Sequence, residues 1–123
     1  MAWARGDVVL IPFPYSDLSA TKTRPTIVIS TPAYQVARRE LLLVYLTSQV
    51  SQIHSTFDYL LADRQAAGLL KPTLMRSRVA VVQEALVQYH VGTLSSRDLI
   101  EVDRRLRWVM GLLEESAGLE APR

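Results

Sequence analysis

Of the side chains that can do chemistry, this 123-residue sequence holds no cysteine and only two histidines, His54 and His90, far apart in the chain. Thiolate nucleophiles, disulfides and thiolate metal sites are thereby excluded. A histidine-rich metal site is not expected either, because such a centre gathers three or four ligands. The lack of cysteine fits a reducing cytoplasm. What the chain has instead is arginine: of its 14 cationic side chains only Lys22 and Lys71 are lysines. A guanidinium carries a planar fork of donors that grips phosphate at two points and stacks on bases. A GC-rich coding sequence produces the same bias, and the net charge of +2 is modest. Charge alone therefore says only that nucleic acid is compatible as a partner.

The length suits one domain with its own core, and the absence of repeats, low-complexity tracts and linkers predicts a single domain over residues 1–123. No apolar run approaches the roughly 18 residues needed to cross a bilayer. The first residues reach Gly6 and Asp7 before any apolar stretch, so a secretory signal is not expected.

Asp7 to Pro14 reads as a first strand whose two prolines place its end at an edge or leaving the sheet. Tyr15 to Thr23 reads as a loop, and Thr26–Ser30 as a second strand closed by Thr31 and Pro32. Leu41–Thr47 is so continuously apolar that both faces should be covered. Ser48–Ser55 is a loop, Thr56–Leu61 a fourth strand, and Asp63–Ala67 one helical turn closed by Gly68. Thr73–Val82 and Ala85–Val91 complete the strands. Leu99, Val102, Leu106, Val109 and Leu113 then recur at helical steps, and Ser95 with Asp98 has capping-box spacing, so a helix is expected over about 96–113. Many strands followed by one helix predict an α+β domain, a small closed or half-closed antiparallel β-barrel with the helix packed on it.

Three stretches carry a resemblance: Arg5-Gly6-Asp7-Val8-Val9-Leu10, the loop from Asp17 to Thr23, and Arg24-Pro25-Thr26-Ile27-Val28-Ile29-Ser30. A strand opened by Gly-Asp, a polar loop, then Arg-Pro leading a second apolar strand resembles the MazF/PemK family of toxin ribonucleases. Val44-Tyr45-Leu46-Thr47-Ser48 is similar to that family's third strand, and Leu69-Leu70-Lys71-Pro72-Thr73 to its lead into the fifth. The resemblance implies an SH3-like barrel, a cytoplasmic homodimer, and metal-free and cofactor-free cleavage of single-stranded RNA at short sequences. It also implies a cognate antitoxin whose acidic tail occupies the RNA groove, with operator DNA bound only through that antitoxin.

Metal-free cleavage of RNA uses the 2′-hydroxyl as nucleophile on the adjacent phosphate. The protein must hold that geometry, stabilise the phosphorane oxygens and help protons move. Arg24 and Thr47 match the family's arginine and threonine, which implies that Arg24 clamps the phosphate and Thr47 donates to it. Arginine hardly deprotonates, so Arg24 is expected as charge and not as base. Arg76 falls where PemK-type members place a second catalytic arginine, but their aspartate two residues on is Arg78 here, and their first-loop histidine is missing. Asp17 and Glu84 are substitute carboxylates, and His54 is a last candidate for proton transfer.

Each residue has a plainer role. Arg24 can cap a loop or pair with Asp17, and Thr47 and Ser48 can end a strand on nearby backbone. Arg76 and Arg78, two apart, share a sheet face and either touch RNA or blunt an edge. Lys22 and Lys71 are either solvated or steer phosphate. Trp108, Tyr45, Phe57 and Tyr59 are expected in core or dimer packing, and Tyr15 as the aromatic that stacks on a base. The rival functions are a gyrase-binding toxin of the CcdB type, working through its C-terminal helix, and an inactive family member kept for antitoxin binding.

Overall fold

The structure, a computed structural model, describes residues 3–13, 22–52 and 56–112. The described strands are β1 (Asp7–Phe13), β2 (Lys22–Val28), β3 (Glu40–Thr47), β4 (Tyr59–Leu60), β5 (Leu74–Gln83) and β6 (Tyr89–Thr93). They form one antiparallel sheet in the order β4-β5-β3-β2-β1-β6. Helix α1 (Pro32–Arg38) joins β2 to β3, and α2 (Ser96–Val109) follows β6. No helix among the described residues is long and apolar enough to cross a membrane.

The continuously apolar third strand sits at the centre of this sheet and is buried on both sides, as its composition requires. Leu41 and Leu43 join Val9, Ile11, Val28 and Val82 on one face. Val44 and Leu46 join Val8 and Ile27 on the other, where Val102 and Leu106 of α2 cover them. Burying each of those two helix side chains contributes about 1.5–3 kcal/mol. Both are also among the residues whose spacing marks the helix in the sequence.

The sheet curls until the turn after β4 lies against β6, giving a half-barrel. A Cβ on Gly92 would stand 2.4 Å from the carbonyl oxygen of Ala67, and one on Gly68 2.4 Å from that of Val91. Gly68 also has φ +80°, the left-handed conformation expected of it. Gly92→Ala is expected to cost about 3 kcal/mol, the upper end for overpacking, because backbone and not a flexible side chain must yield. A urea midpoint equal to that of wild type would show that the seam tolerates a methyl group.

Several elements differ from the sequence expectation. Helix α1 was not foreseen, although Thr31 caps it, accepting from the Tyr34 N–H at 3.4 Å, and Pro32 opens it. Its Gln35 is fully buried and ties down the N-terminal segment. Oε1 accepts from the Trp3 N–H at 2.7 Å, while Nε2 donates to the carbonyls of Trp3 (2.8 Å) and Ser30 (3.2 Å). Strand β2 begins at Lys22 and not Thr26, because β1 offers a partner as far as Phe13 opposite Lys22. β6 pairs with β1 only to Leu10 opposite Tyr89, so Pro12 lies where β1 has lost one neighbour, as its missing N–H suggests.

Strand β4 is two residues long and not six. The carbonyl of Phe57 accepts from Ser77 Oγ (2.8 Å) and that of Thr56 from Arg105 Nε (3.1 Å), so side chains and not a ladder hold this stretch. Residues 84–86 form a 3₁₀ turn, which delays β6 to Tyr89. Helix α2 stops at Val109 because Gly111 turns left-handed at φ +76°. Its N–H bonds the Trp108 carbonyl (3.0 Å) and the Leu112 N–H that of Arg107 (2.7 Å), a Schellman closure.

Candidate active site

Antiparallel pairing sets Thr26 of β2 opposite Tyr45 of β3. Two residues further along, Arg24 and Thr47 reach the same end of the two strands and line one open cleft of about 460 Å³. Arg24 is exposed and Thr47 half-buried. Thr47 does bond its local backbone, accepting from the Gln49 N–H at 3.2 Å. That bond uses the oxygen as acceptor and leaves the hydroxyl proton to donate.

The far wall comes from β5. On β3, Val44 pairs with Val79 and Leu46 with Met75, so Arg76, Ser77 and Arg78 together oppose Tyr45 alone. Such a bulge re-aims side chains, and here Arg76 and Arg78 both line the cleft with Arg24 and Thr47. Tyr45, Leu46 and Gln49 complete it. Tyr45, expected in core or dimer packing, is half-buried and also walls the cleft.

Two further clefts adjoin. One, about 300 Å³, shares Arg24 and Thr47 and adds Ser48, Leu70 and Lys71. The other, about 330 Å³, shares Arg76 and Arg78 and adds Phe57, Asp58 and Val109. Through these shared side chains the three adjoin as one groove, with cations in the lining of each. Lys22, exposed at the start of β2, lines none of the three. Tyr15, Asp17 and His54 lie outside the described residues.

Glu84 is not a candidate base. Glu40 pairs with Gln83 at one end of β3 and Thr47 with Leu74 at the other. Seven strand residues at about 3.3 Å each put Glu84 roughly 23 Å from the cleft. There it faces Arg39 at 3.7 Å. The carboxylate that sequence reading passed over is Asp58, the one acidic side chain among the described residues lining the three clefts. Its only sequence signal is its place just before β4, which becomes informative once β4 is known to pair with β5. No group of histidines and carboxylates suited to a metal ion occurs among the described residues.

Other arginines serve the framework. Arg5 grips Asp103 at 3.0 and 2.5 Å and donates to the Ile29 carbonyl at 2.8 Å, which fastens α2 to the end of β2. Arg97 pairs with Asp63 at 2.6 Å. The hydrogen bonds from Arg97 and Ser95 hold that carboxyl below its ordinary range. Arg5 and Arg97 thus fasten the framework, and Arg24, Arg76 and Arg78 line the first cleft.

No curated protein matches the sequence. Solved structures do match the fold. A mycobacterial endoribonuclease in complex with its cognate antitoxin superposes with TM-score 0.73 at 15% identity, over 92% of this chain and 99% of that one. MazF in a MazE–MazF complex from Deinococcus radiodurans gives 0.70 at 16%, over 92% and 99%. The Mycobacterium tuberculosis toxin MazF-mt6 gives 0.68 at 10%, over 88% and 99%. At such identities the likeness concerns the fold. The family model described as PemK-like, MazF-like toxin of type II toxin-antitoxin system matches residues 4–110. The gyrase-binding and inactive readings gain no support from any of these. With the model covering nearly the whole chain and the half-barrel shared with its solved members, the protein belongs to the PemK-like, MazF-like toxins of type II toxin–antitoxin systems.

Proposed function

We propose that this toxin is an endoribonuclease that cuts single-stranded RNA in the groove without a metal ion. The observation that carries the reading is the meeting of Arg24, Thr47, Arg76 and Arg78 on one cleft. In the reaction the 2′-oxygen attacks the adjacent phosphorus and loses its proton. The bond to the 5′-oxygen breaks and that oxygen gains a proton, leaving a 2′,3′-cyclic phosphate and a 5′-hydroxyl. Charge builds on the non-bridging oxygens as the phosphorane forms. Arg24 and Arg76 act there as fixed positive forks, since arginine does not release its proton, and the Thr47 hydroxyl donates to the same oxygens. Ser48, Lys71 and Arg78 bind the flanking backbone, and Lys22 and Tyr15 are further RNA-binding residues.

The reading extends to a cytoplasmic homodimer and to a cognate antitoxin. An acidic antitoxin tail in the same cationic groove would compete with RNA, and operator DNA would be reached only through that antitoxin. The test is incubation of the purified toxin with a long single-stranded RNA in excess chelator, with cut sites mapped by primer extension. Cleavage at discrete short sequences leaving 5′-hydroxyl ends is expected. Intact RNA, or cleavage that the chelator abolishes, would refute the proposal.

A further inference from the structure

The cleft on the far side of Arg76 and Arg78 has a composition of its own. Phe57 and Val109 are apolar walls, Asp58 is an acceptor and the two arginines are planar donors. Apolar walls with a few placed polar groups are the make-up of a pocket for a flat polar molecule. Arg76 and Arg78 belong to both clefts, so this one directly adjoins the cleft of Arg24 and Thr47.

The walls are braced. The Phe57 ring packs on Trp108 of α2 at 5.0 Å, and its carbonyl accepts from Ser77 Oγ. Arg105 holds the Thr56 carbonyl and lies 4.6 Å over the Tyr59 ring. β4 and β5 pair at Tyr59 with Met75 and at Leu60 with Leu74. Next in line are Asp58, just before β4, and Arg76 of β5, so a carboxylate and a guanidinium line one pocket from neighbouring segments. Side chains held this way lose little freedom when a ligand arrives.

We propose that this cleft is a base-reading subsite and that it selects guanine in the nucleotide next to the cleavage site; the inference rests on the ribonuclease reading above. Guanine presents N1–H and the 2-amino group side by side, and one carboxylate can accept from both. It also presents O6 and N7 together, the acceptor pair that an arginine fork matches. Adenine and cytosine set a ring-nitrogen acceptor beside their amino group, and uracil sets a carbonyl on each side of its one N–H. Each of these brings an acceptor against a carboxylate oxygen. Asp58 has two oxygens and about four lone-pair sites, so a partner within the protein leaves room to accept from a base. Phe57 and Val109 supply the stacking surface.

The test uses short RNAs containing a site cut by the wild-type toxin, with each nucleotide flanking the cut changed in turn to guanosine, adenosine, cytidine, uridine or inosine. Inosine keeps O6, N7 and N1–H and lacks the 2-amino group. At one flanking position guanosine is expected to be cut about ten- to a hundredfold faster than the other standard bases, with inosine between. In Asp58→Asn the guanosine-to-inosine ratio at that position falls to within a few-fold. A toxin that cuts RNA with no guanosine preference beside the cut overturns the subsite and leaves the nuclease reading standing. So does an Asp58→Asn variant that keeps the full ratio. A toxin that cuts no RNA ends both. If Asp58→Asn does not fold, the wild-type inosine comparison still decides, because equal rates for guanosine and inosine exclude a carboxylate reading the 2-amino group.

Discussion

Replacing Arg24 with alanine is expected to slow RNA cleavage about a hundred- to a thousandfold, the usual cost of deleting one preorganised donor to a developing oxyanion. The protein should unfold at the same temperature as wild type. Both halves follow from placement. Arg24 stands at the outer end of β2, exposed and opposite Ile11 in the β1 ladder. Its backbone continues a strand that alanine can continue, and its exposed side chain belongs to neither core cluster. The charge it removes is the one that, on the proposed reading, meets the phosphate beside Thr47. Arg24→Lys should recover only part of the rate, since an ammonium is a point charge and cannot grip two oxygens at fixed geometry. Single-turnover rates on a saturating RNA, with thermal unfolding alongside, give the answer. An Arg24→Ala toxin that cuts at the wild-type rate would remove this residue from the chemistry.

The largest effect on stability is expected at Asp98. Its side chain is fully buried on the first turn of α2. One oxygen accepts from the Tyr59 hydroxyl at 2.6 Å and the Ala62 N–H at 2.9 Å, the other from the Asp63 N–H at 2.8 Å. Burial, and then the bond to Asp98, push the Tyr59 hydroxyl well above its ordinary range, so it stays a donor. Asp98→Ala would strand two backbone donors and a phenol, and bonds to a charged group cost about 1.5–3 kcal/mol each to lose. Allowing for water and relaxation, a loss of roughly 3–5 kcal/mol is expected. Asp98→Asn should recover part of it, because its oxygen serves one side while its amide meets a donor on the other. Urea unfolding of the three proteins measures both steps, and a loss under 1 kcal/mol for the alanine variant would show the cluster to be dispensable.

Asp98 also shows how local and tertiary information differ. Its spacing from Ser95 predicts a capping box, and half of one is present, with Ser95 Oγ accepting from the Asp98 N–H at 3.2 Å. The reciprocal half is absent because the Asp98 carboxylate is committed to β4 and the turn after it. The Arg5-Gly6-Asp7 run that carries the family resemblance is likewise architectural. Arg5 fastens α2, and Gly6 takes φ +94° where a Cβ would meet Leu99 at 3.3 Å. Asp7 accepts from the Ala4 N–H and the Thr93 hydroxyl at 2.8 Å each. None of the three lines the groove. A recognisable sequence motif here marks where the sheet begins, and the chemistry lies elsewhere.

What the sequence determined by itself was whatever depends on near neighbours in the chain: the apolar strands, the left-handed Gly68, the amphipathic C-terminal helix and its Ser95 cap. Helix α1 was equally local, since Thr31 and Pro32 are a start signal that also reads as the end of a strand. Only the tertiary structure decided which side chains share a cleft. The bulge that turns Arg76 and Arg78 toward Thr47, the distance that removes Glu84, and the pairing that brings Asp58 up to Arg76 all depend on register between strands remote in sequence. Register follows from which apolar faces are buried together, a property of the assembled sheet that no single segment carries.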